Sequence, residues 1–186
     1  MNRLTEMRRS HEHYVKCIDT STKAVREMTM YLLLRMCQGF VAFSFRMYFG
    51  ISERTMYRYI KELKLCGVTP DIMRIGNDIM IGERYIDNGE VLVEYGMGEL
   101  EAPQSSNSHI LRLHRFLQIY EAFEYEFQAA FWDEDYNAPK DGRLSFEFGP
   151  TDVIKYAPER SVDLRTVQRD FAVIAEAVEY FRVLFC

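Results

Sequence analysis

The residues best suited to contact a polyanion are concentrated in one stretch, ISERTMYRYIKEL, at positions 51–63. Its basic residues recur every three or four positions, the interval that puts side chains on one face of a helix. An arginine can donate two hydrogen bonds to a guanine edge, while hydroxyl groups and the amides at a helix start can hold phosphates. Six residues of the stretch are therefore candidate nucleic-acid contacts: Ser52, Arg54, Thr55, Tyr57, Arg58 and Lys61.

An ordinary solvent-facing helix would carry similar charges. Glu62 follows Arg58 by four residues, so these two side chains could form an ion pair on the helix surface. The helix alone leaves both interpretations open.

Other chemistry has less support in the sequence. His13 and Cys17 are four residues apart and could share a helical face as metal ligands. Two more ligands would have to come from distant His109, His114 or another cysteine. The carboxylates at 133–135 are consecutive, which favours a solvated turn over a catalytic pair. Because no nucleotide-binding or hydrolase motif is present in the sequence, we assign no metal, no cofactor and no enzymatic activity.

The candidate helix has recognisable ends and an apolar inner face. Ser52 is a typical N-cap, and Gly67 is a typical C-terminal stop. Met56, Ile60 and Leu63 recur at the spacing of a buried helical stripe. The basic residues then project outward from the opposite side.

The neighbouring segments supply a scaffold for this helix. Apolar residues at helical spacing predict an earlier helix: Val25, Met28, Leu32 and Met36. A shorter apolar segment, FVAFSFRMYFG, leads into the turn before residue 51. Two β-prone runs flank Gly76-Asn77-Asp78, which predicts a hairpin. Arg74 and Arg84 lie on that hairpin and could contact flanking phosphates.

With FGISERTMYRYIKEL at the turn and third helix, residues 25–86 resemble a winged helix-turn-helix domain of bacterial DeoR-like and WYL-type transcriptional regulators. The resemblance implies that a recognition helix at 52–66 enters the major groove of double-stranded DNA. It also implies that the hairpin acts as the wing.

An internal repeat extends the resemblance to the C-terminal half. A shift of 111 positions aligns VDLRTVQRDFAVI, residues 162–174, with residues 51–63 without a gap. Asp163 then occupies the capping position of Ser52. A second, divergent recognition helix is therefore expected at 163–177. Its candidate DNA contacts are Arg165, Thr166, Gln168 and Arg169.

We predict a mainly α chain with small β-hairpins (α+β), built from tandem winged helix-turn-helix modules. The expected parts are a basic helical arm at 1–24, a first module at 25–95, a Gly-, Pro- and Ser-containing linker at 96–108, and a second module at 109–186. The second module contains an acidic insertion at about 124–148, expected to form a hairpin around Pro139-Lys140-Asp141-Gly142. Its last segment, YFRVLF, is expected to form an apolar edge strand, which favours a homodimer.

Charge is unevenly distributed along the chain. The formal net charge is −5, yet residues 1–40 contain seven basic and four acidic residues, whereas residues 91–186 contain nine basic and seventeen acidic residues. We expect the first module to dominate DNA affinity and the second to adjust selectivity or contact a protein partner. The four cysteines are far apart in sequence, which favours reduced thiols. Because no signal peptide or membrane span is evident, we expect a cytoplasmic protein.

These features favour a sequence-specific double-stranded DNA-binding transcriptional regulator without catalytic activity. The alternative is a non-enzymatic protein-interaction scaffold built on winged-helix domains. Steep weakening of binding with salt would favour the first, because phosphate contacts release counterions.

Overall fold

A computed structural model describes residues 21–37, 39–76, 78–83, 85–87, 90–92, 100, 102–132, 146, 148–156 and 162–185. Within these residues the chain forms seven helices and five short strands, which confirms a mainly helical α+β chain with small hairpins. In chain order the elements are α1 (Lys23–Cys37), β1 (Gly39–Val41), α2 (Ala42–Phe49), α3 (Glu53–Leu65), β2 (Pro70–Ile75), β3 (Asp78–Glu83), β4 (Tyr85–Asp87), β5 (Glu90–Leu92), α4 (Ser108–Ala122), α5 (Glu124–Trp132), α6 (Pro150–Tyr156) and α7 (Leu164–Phe185).

The N-terminal half alternates helices with a small antiparallel sheet. Strand β3 lies in the centre, between β1 and β2, and β4 pairs separately with β5. The β2–β3 hairpin turns between Ile75 and Asp78, which are opposite each other in the ladder. Gly76 has φ +63°, a conformation that two-residue hairpin turns require and that glycine adopts without strain. The predicted hairpin is therefore confirmed.

Strand β1 approaches β3 closely at Gly39. A Cβ atom on Gly39 would lie 2.7 Å from the carbonyl oxygen of Ile81, and φ at Gly39 is +148°. Both the space and the backbone conformation therefore require glycine at this position.

A three-residue turn connects α2 to α3. Gly50 is left-handed at the C-terminus of α2, and Ser52 caps α3 by accepting a hydrogen bond from the amide of Thr55 at 3.2 Å. On α3 the residues Met56, Ile60 and Leu63 are buried, as their spacing predicted. The helix ends at Leu65, two residues before the predicted stop at Gly67.

Helix α1 packs against elements of both the N-terminal and the C-terminal half of the chain. The hydroxyl group of Thr29 donates to the carbonyl oxygen of Val25 at 2.9 Å and lies 3.5 Å from the carbonyl oxygen of Ala177 on α7, and Tyr31 donates to Glu121 on α4 at 2.9 Å. The same helix also packs on β1, β3 and α3. Because nearly all of its middle residues are buried, α1 connects the N-terminal and C-terminal halves through one continuous core.

The predicted linker at 96–108 is anchored at its C-terminal end. The amide of Gln104 donates a hydrogen bond to the carbonyl oxygen of Leu65 at 2.9 Å, and Asn107 caps α4. The first of these contacts places Gln104 against the end of α3. Residues 93–99 and 101 lie outside the described part of the chain.

Helices α4 and α6 both pack on the long helix α7. The expected edge strand YFRVLF is wrong, because these residues continue α7. Buried residues of α7 recur at intervals of one to four positions: Val167, Asp170, Ile174, Ala177, Val178 and Phe181. Neither Gly nor Pro interrupts residues 164–185, so the helix runs on.

The described start of the acidic insertion is helical. Residues Glu124–Trp132 form helix α5, in which Phe127 is buried against a group of phenylalanine rings that includes Phe148 and Phe171. The hairpin expected around residues 139–142 lies outside the described residues.

Cys37 and Cys66 are free thiols, half-buried and buried respectively, and burial raises the pKa of each to about 12. Cys17 and Cys186 lie outside the described residues, as do His13 and the N-terminal arm up to residue 20. Among the described helices, none combines the length and apolar character needed to cross a membrane.

Candidate nucleic-acid interface

Helix α3 presents a basic outer face to solvent. Arg54, Arg58 and Lys61 are exposed on the side opposite the buried residues, as expected. Lys64 is also exposed and extends the same series by one further turn. Lys64 is not among the predicted contacts, although it lies three residues after Lys61, a spacing that places both side chains on one face of the helix.

The possible ion pair between Arg58 and Glu62 does not account for the charge of Arg58. Glu62 instead contacts Lys23 of α1, with 2.8 Å between Nζ and Oε1. The guanidinium of Arg58 lies over the ring of Tyr59, 5.8 Å from its centroid. The head group of Arg58 therefore stays at the surface, where a DNA backbone or base edge could reach it.

The start of α3 is stabilised by local contacts. The hydroxyl groups of Ser52 and Thr55 are 3.0 Å apart, and the Thr55 amide already donates to Ser52. Helix geometry leaves the amides of Glu53 and Arg54 without an acceptor inside the helix, which suits a phosphate. Arg46 of α2 forms an ion pair with Glu53 at 3.1 Å and so offsets an acidic charge at this end.

Tyr57 is less available than its position in the sequence suggested. Its side chain is only partly exposed and packs at the edge of the hydrophobic core. The hydroxyl group of a tyrosine placed in this way can still contact a phosphate, while the ring serves the packing of α3.

Only one of the two predicted wing arginines can be located. Arg74 is exposed on β2, where it lies opposite Ile79 of β3. Arg84 lies outside the described residues, between β3 and β4.

The second candidate set lies at the start of α7. Arg165, Gln168 and Arg169 are exposed, and Thr166 is partly exposed. Asp163 accepts a hydrogen bond from the amide of Thr166 at 2.8 Å, which lowers the pKa of its carboxyl group. This contact repeats the cap that Ser52 provides to Thr55.

The two helix starts share a cap but differ in their surroundings. Asp170 of α7 is 1% exposed and forms ion pairs with Arg112 and Arg115 of α4. Among the described residues from 108 onward there are helices but no strand, so they do not show a second winged helix-turn-helix module. The predicted contact residues on helices fall into two sets, five on α3 with Ser52 as its cap and four at the start of α7.

No protein family, curated protein or solved structure matched this chain.

Proposed function

We propose that the protein binds double-stranded DNA in a sequence-specific manner through α3 and regulates transcription without catalysing a reaction. The observation that carries this proposal is the exposed basic face of α3, formed by Arg54, Arg58 and Lys61 directly after a tight turn. A helix presented in this way can lie in the major groove with its first turns against the base edges.

The order of elements supports a winged helix-turn-helix interpretation of the N-terminal half. Helix, strand, helix, helix and a two-stranded hairpin follow one another, and β1 closes the sheet beside β3. The turn between α2 and α3 has three residues and a left-handed glycine, as helix-turn-helix motifs commonly do. In this arrangement Arg74 on the hairpin would contact a phosphate beside the major-groove site.

In the proposed complex the residues of α3 have different roles. Arg54 and Arg58 would donate to base edges and so discriminate sequences, whereas Lys61 and the amides at the helix start would neutralise or bind phosphates. The C-terminal module would contribute weaker contacts through Arg165 and Arg169, or would bind a protein partner.

The test is a selection of duplexes from randomised DNA by the full chain, followed by anisotropy titrations at several salt concentrations. Arg54→Ala and Arg58→Ala should each weaken binding to the selected duplex by about 1–3 kcal/mol if the arginines contact bases. Circular dichroism should be unchanged, because both side chains are exposed.

Lys64→Ala is a matched control on the same helix. It removes the same charge about 9 Å beyond Arg58 and about 15 Å beyond Arg54 along the helix axis, so its effect should be smaller and similar for all duplexes. Wild-type affinity in both arginine variants, or failure of the selection to enrich any sequence, would contradict the proposal.

A protein-interaction scaffold is the second candidate function. Phe43 and Met47 lie one turn apart on α2, and each is 62% exposed. Such a pair suits an apolar contact with another protein. Binding through this surface should persist at high salt and be lost in Phe43→Ser, whereas DNA binding should weaken steeply with salt.

The homodimer stays a prediction, but the edge strand no longer supports it, because the segment YFRVLF is helical. Light scattering of the full chain across micromolar concentrations would test it. A monomer mass throughout would exclude the dimer under those conditions.

A further inference from the structure

Three side chains that can bind metal ions meet where α1, α3 and α4 come together. Glu27, Glu62 and His109 each offer one ligand atom, and these atoms all lie within 4.8 Å of one another. Nε2 of His109 is 2.9 Å from Oε2 of Glu27 and 3.9 Å from Oε2 of Glu62. The three residues therefore converge on one small volume.

Glu27 is fully buried, and its carboxylate points into this cluster. Its side chain is 0% exposed, and neither of its oxygen atoms has a hydrogen bond of acceptable geometry to any described residue. The same holds for Oε2 of Glu62 and Nε2 of His109. The ligand atoms of the cluster lie close together but not in hydrogen-bond geometry, so their lone pairs are available to a cation. Burying polar atoms without a hydrogen-bond partner is unfavourable.

Lys23 offsets only part of the negative charge. Its Nζ lies 2.8 Å from Oε1 of Glu62 and 3.4 Å from Oε1 of Glu27. The side chain of Lys23 is 37% exposed and that of His109 is 32% exposed, so both lie at the solvent side of the cluster. A metal ion in the cluster would have to replace the ammonium group of Lys23 beside these two carboxylates.

Local electrostatics are compatible with a cation at this position. Burial, followed by the neighbouring carboxyl group of Glu62, raises the pKa of Glu27. Burial also lowers the pKa of His109, which favours the neutral imidazole that binds metals. A cation would stabilise the ionised form of Glu27 in place of a proton.

We propose that Glu27, Glu62 and His109 bind one divalent transition-metal ion of the Zn²⁺ type and so connect α1, α3 and α4. One imidazole nitrogen with two carboxylate oxygens suits Zn²⁺ better than Mg²⁺ or Ca²⁺, which prefer sites made of oxygen atoms alone. Ligand atoms about 2.1 Å from a tetrahedral ion lie about 3.4 Å apart, and the two separations at His109 bracket this value.

Three protein ligands leave a fourth coordination position for water on the solvent side. The nearby thiol of Cys66 is directed to the carbonyl oxygen of Ile110 at 3.6 Å, so it belongs to a different contact. The competing explanation for the cluster is a proton shared between Glu27 and Glu62 without any metal.

The test uses the full chain, stripped with a chelator and titrated calorimetrically with ZnCl₂, MnCl₂ and MgCl₂ in the absence of DNA. We expect one Zn²⁺ per chain, with Mg²⁺ binding at least tenfold weaker. Zn²⁺ should also raise the melting temperature of the stripped protein, because it binds the folded state. Visible absorption of bound Co²⁺ should report coordination by nitrogen and oxygen.

Glu27→Gln and His109→Gln are close in size to the native residues and should each reduce Zn²⁺ affinity by about tenfold or more. Neither variant should show the zinc-dependent rise in melting temperature. Glu121→Gln is the matched control, because it neutralises a partly buried carboxylate on α4 that contacts Tyr31 instead. Its Zn²⁺ affinity should equal that of the wild type.

Zinc binding that is equal in wild type and both cluster variants would overturn the proposal and indicate ligands elsewhere. Absence of Zn²⁺ binding in a folded wild-type chain would overturn it in favour of the shared proton. Neither result depends on DNA binding, so the metal site and the proposed function can fail separately.

Discussion

The packing of α1 predicts that residues 1–96 do not fold without the rest of the chain. Thr29 contacts α7 and Tyr31 contacts α4. Successive residues of a helix are rotated by about 100° around its axis. Val25, Met28 and Leu32 therefore lie on the side of α1 between Thr29, which faces α7, and Tyr31, which faces α4. These apolar side chains therefore face the C-terminal half.

Removing residues 97–186 would expose this face of α1 to water. Val25, Met28 and Leu32 are each 0% exposed in the full chain. Leaving a buried side chain of this size in water loses about 1.5–3 kcal/mol, which gives about 4.5–9 kcal/mol for three. Since the whole stability of a domain is about 5–15 kcal/mol, the fragment should be unfolded or loosely packed.

The assay compares residues 1–96 with the full chain by thermal denaturation and by amide NMR. The fragment should lack a cooperative transition and show poor dispersion, and adding a separate 103–186 fragment should restore both. In the full chain, Leu32→Ala should lower the free energy of unfolding by about 2–5 kcal/mol. A fragment that melts cooperatively near the temperature of the full chain would refute the reasoning. For this reason, point variants of the full chain are the appropriate test of DNA contact by each module.

Further substitutions test individual contacts. Gly39→Ala should destabilise the fold by about 1–3 kcal/mol in urea denaturation, because its φ of +148° disfavours other residues and the new Cβ would meet Ile81. Asp163→Ala should lower the melting temperature at pH 7 but progressively less as pH falls below about 4 and through the lowered pKa of Asp163, because only the ionised cap gives this stabilisation. Ser52→Ala, a cap that does not titrate, should cost about 1 kcal/mol at either pH. Asp170→Asn should cost about 1.5–3 kcal/mol, because it removes a buried charge-assisted contact to arginines of α4 that are themselves partly exposed, and unchanged stability would contradict that ion-pair role.

Local signals in the sequence were sufficient for the elements around α3. The cap at Ser52, the stripe of Met56, Ile60 and Leu63, and the hairpin at Gly76 each depend on residues within a few positions of one another. The basic face of α3 was predicted for the same reason. Short-range periodicity and capping determine such features before tertiary contacts form.

Features that depend on distant contacts were missed or wrong. The segment YFRVLF is rich in apolar residues that suit a strand, but it continues α7, where Val178 and Phe181 are buried. The shared core around α1 could not be predicted from its apolar stripe, because a stripe does not identify the element that covers it. Glu27 and His109 are 82 positions apart, so no local pattern connects them.

Helix α3 lies in the N-terminal half and also contacts the C-terminal half, and this bears on how each half could contribute to DNA binding. Its first turn is held by local contacts, namely the Ser52 cap and the Arg46–Glu53 ion pair. Its last turns contact the C-terminal half and the segment before it, through Glu62 near His109 and the carbonyl oxygen of Leu65. A helix of 13 residues is about 20 Å long and moves largely as a rigid body. We infer that the C-terminal half can influence DNA contact by fixing the inclination of α3, without itself touching DNA. Under this inference, His109→Gln, which alters the contact with Glu62 without changing a charge on α3, should weaken binding to the selected duplex, whereas Glu121→Gln should not.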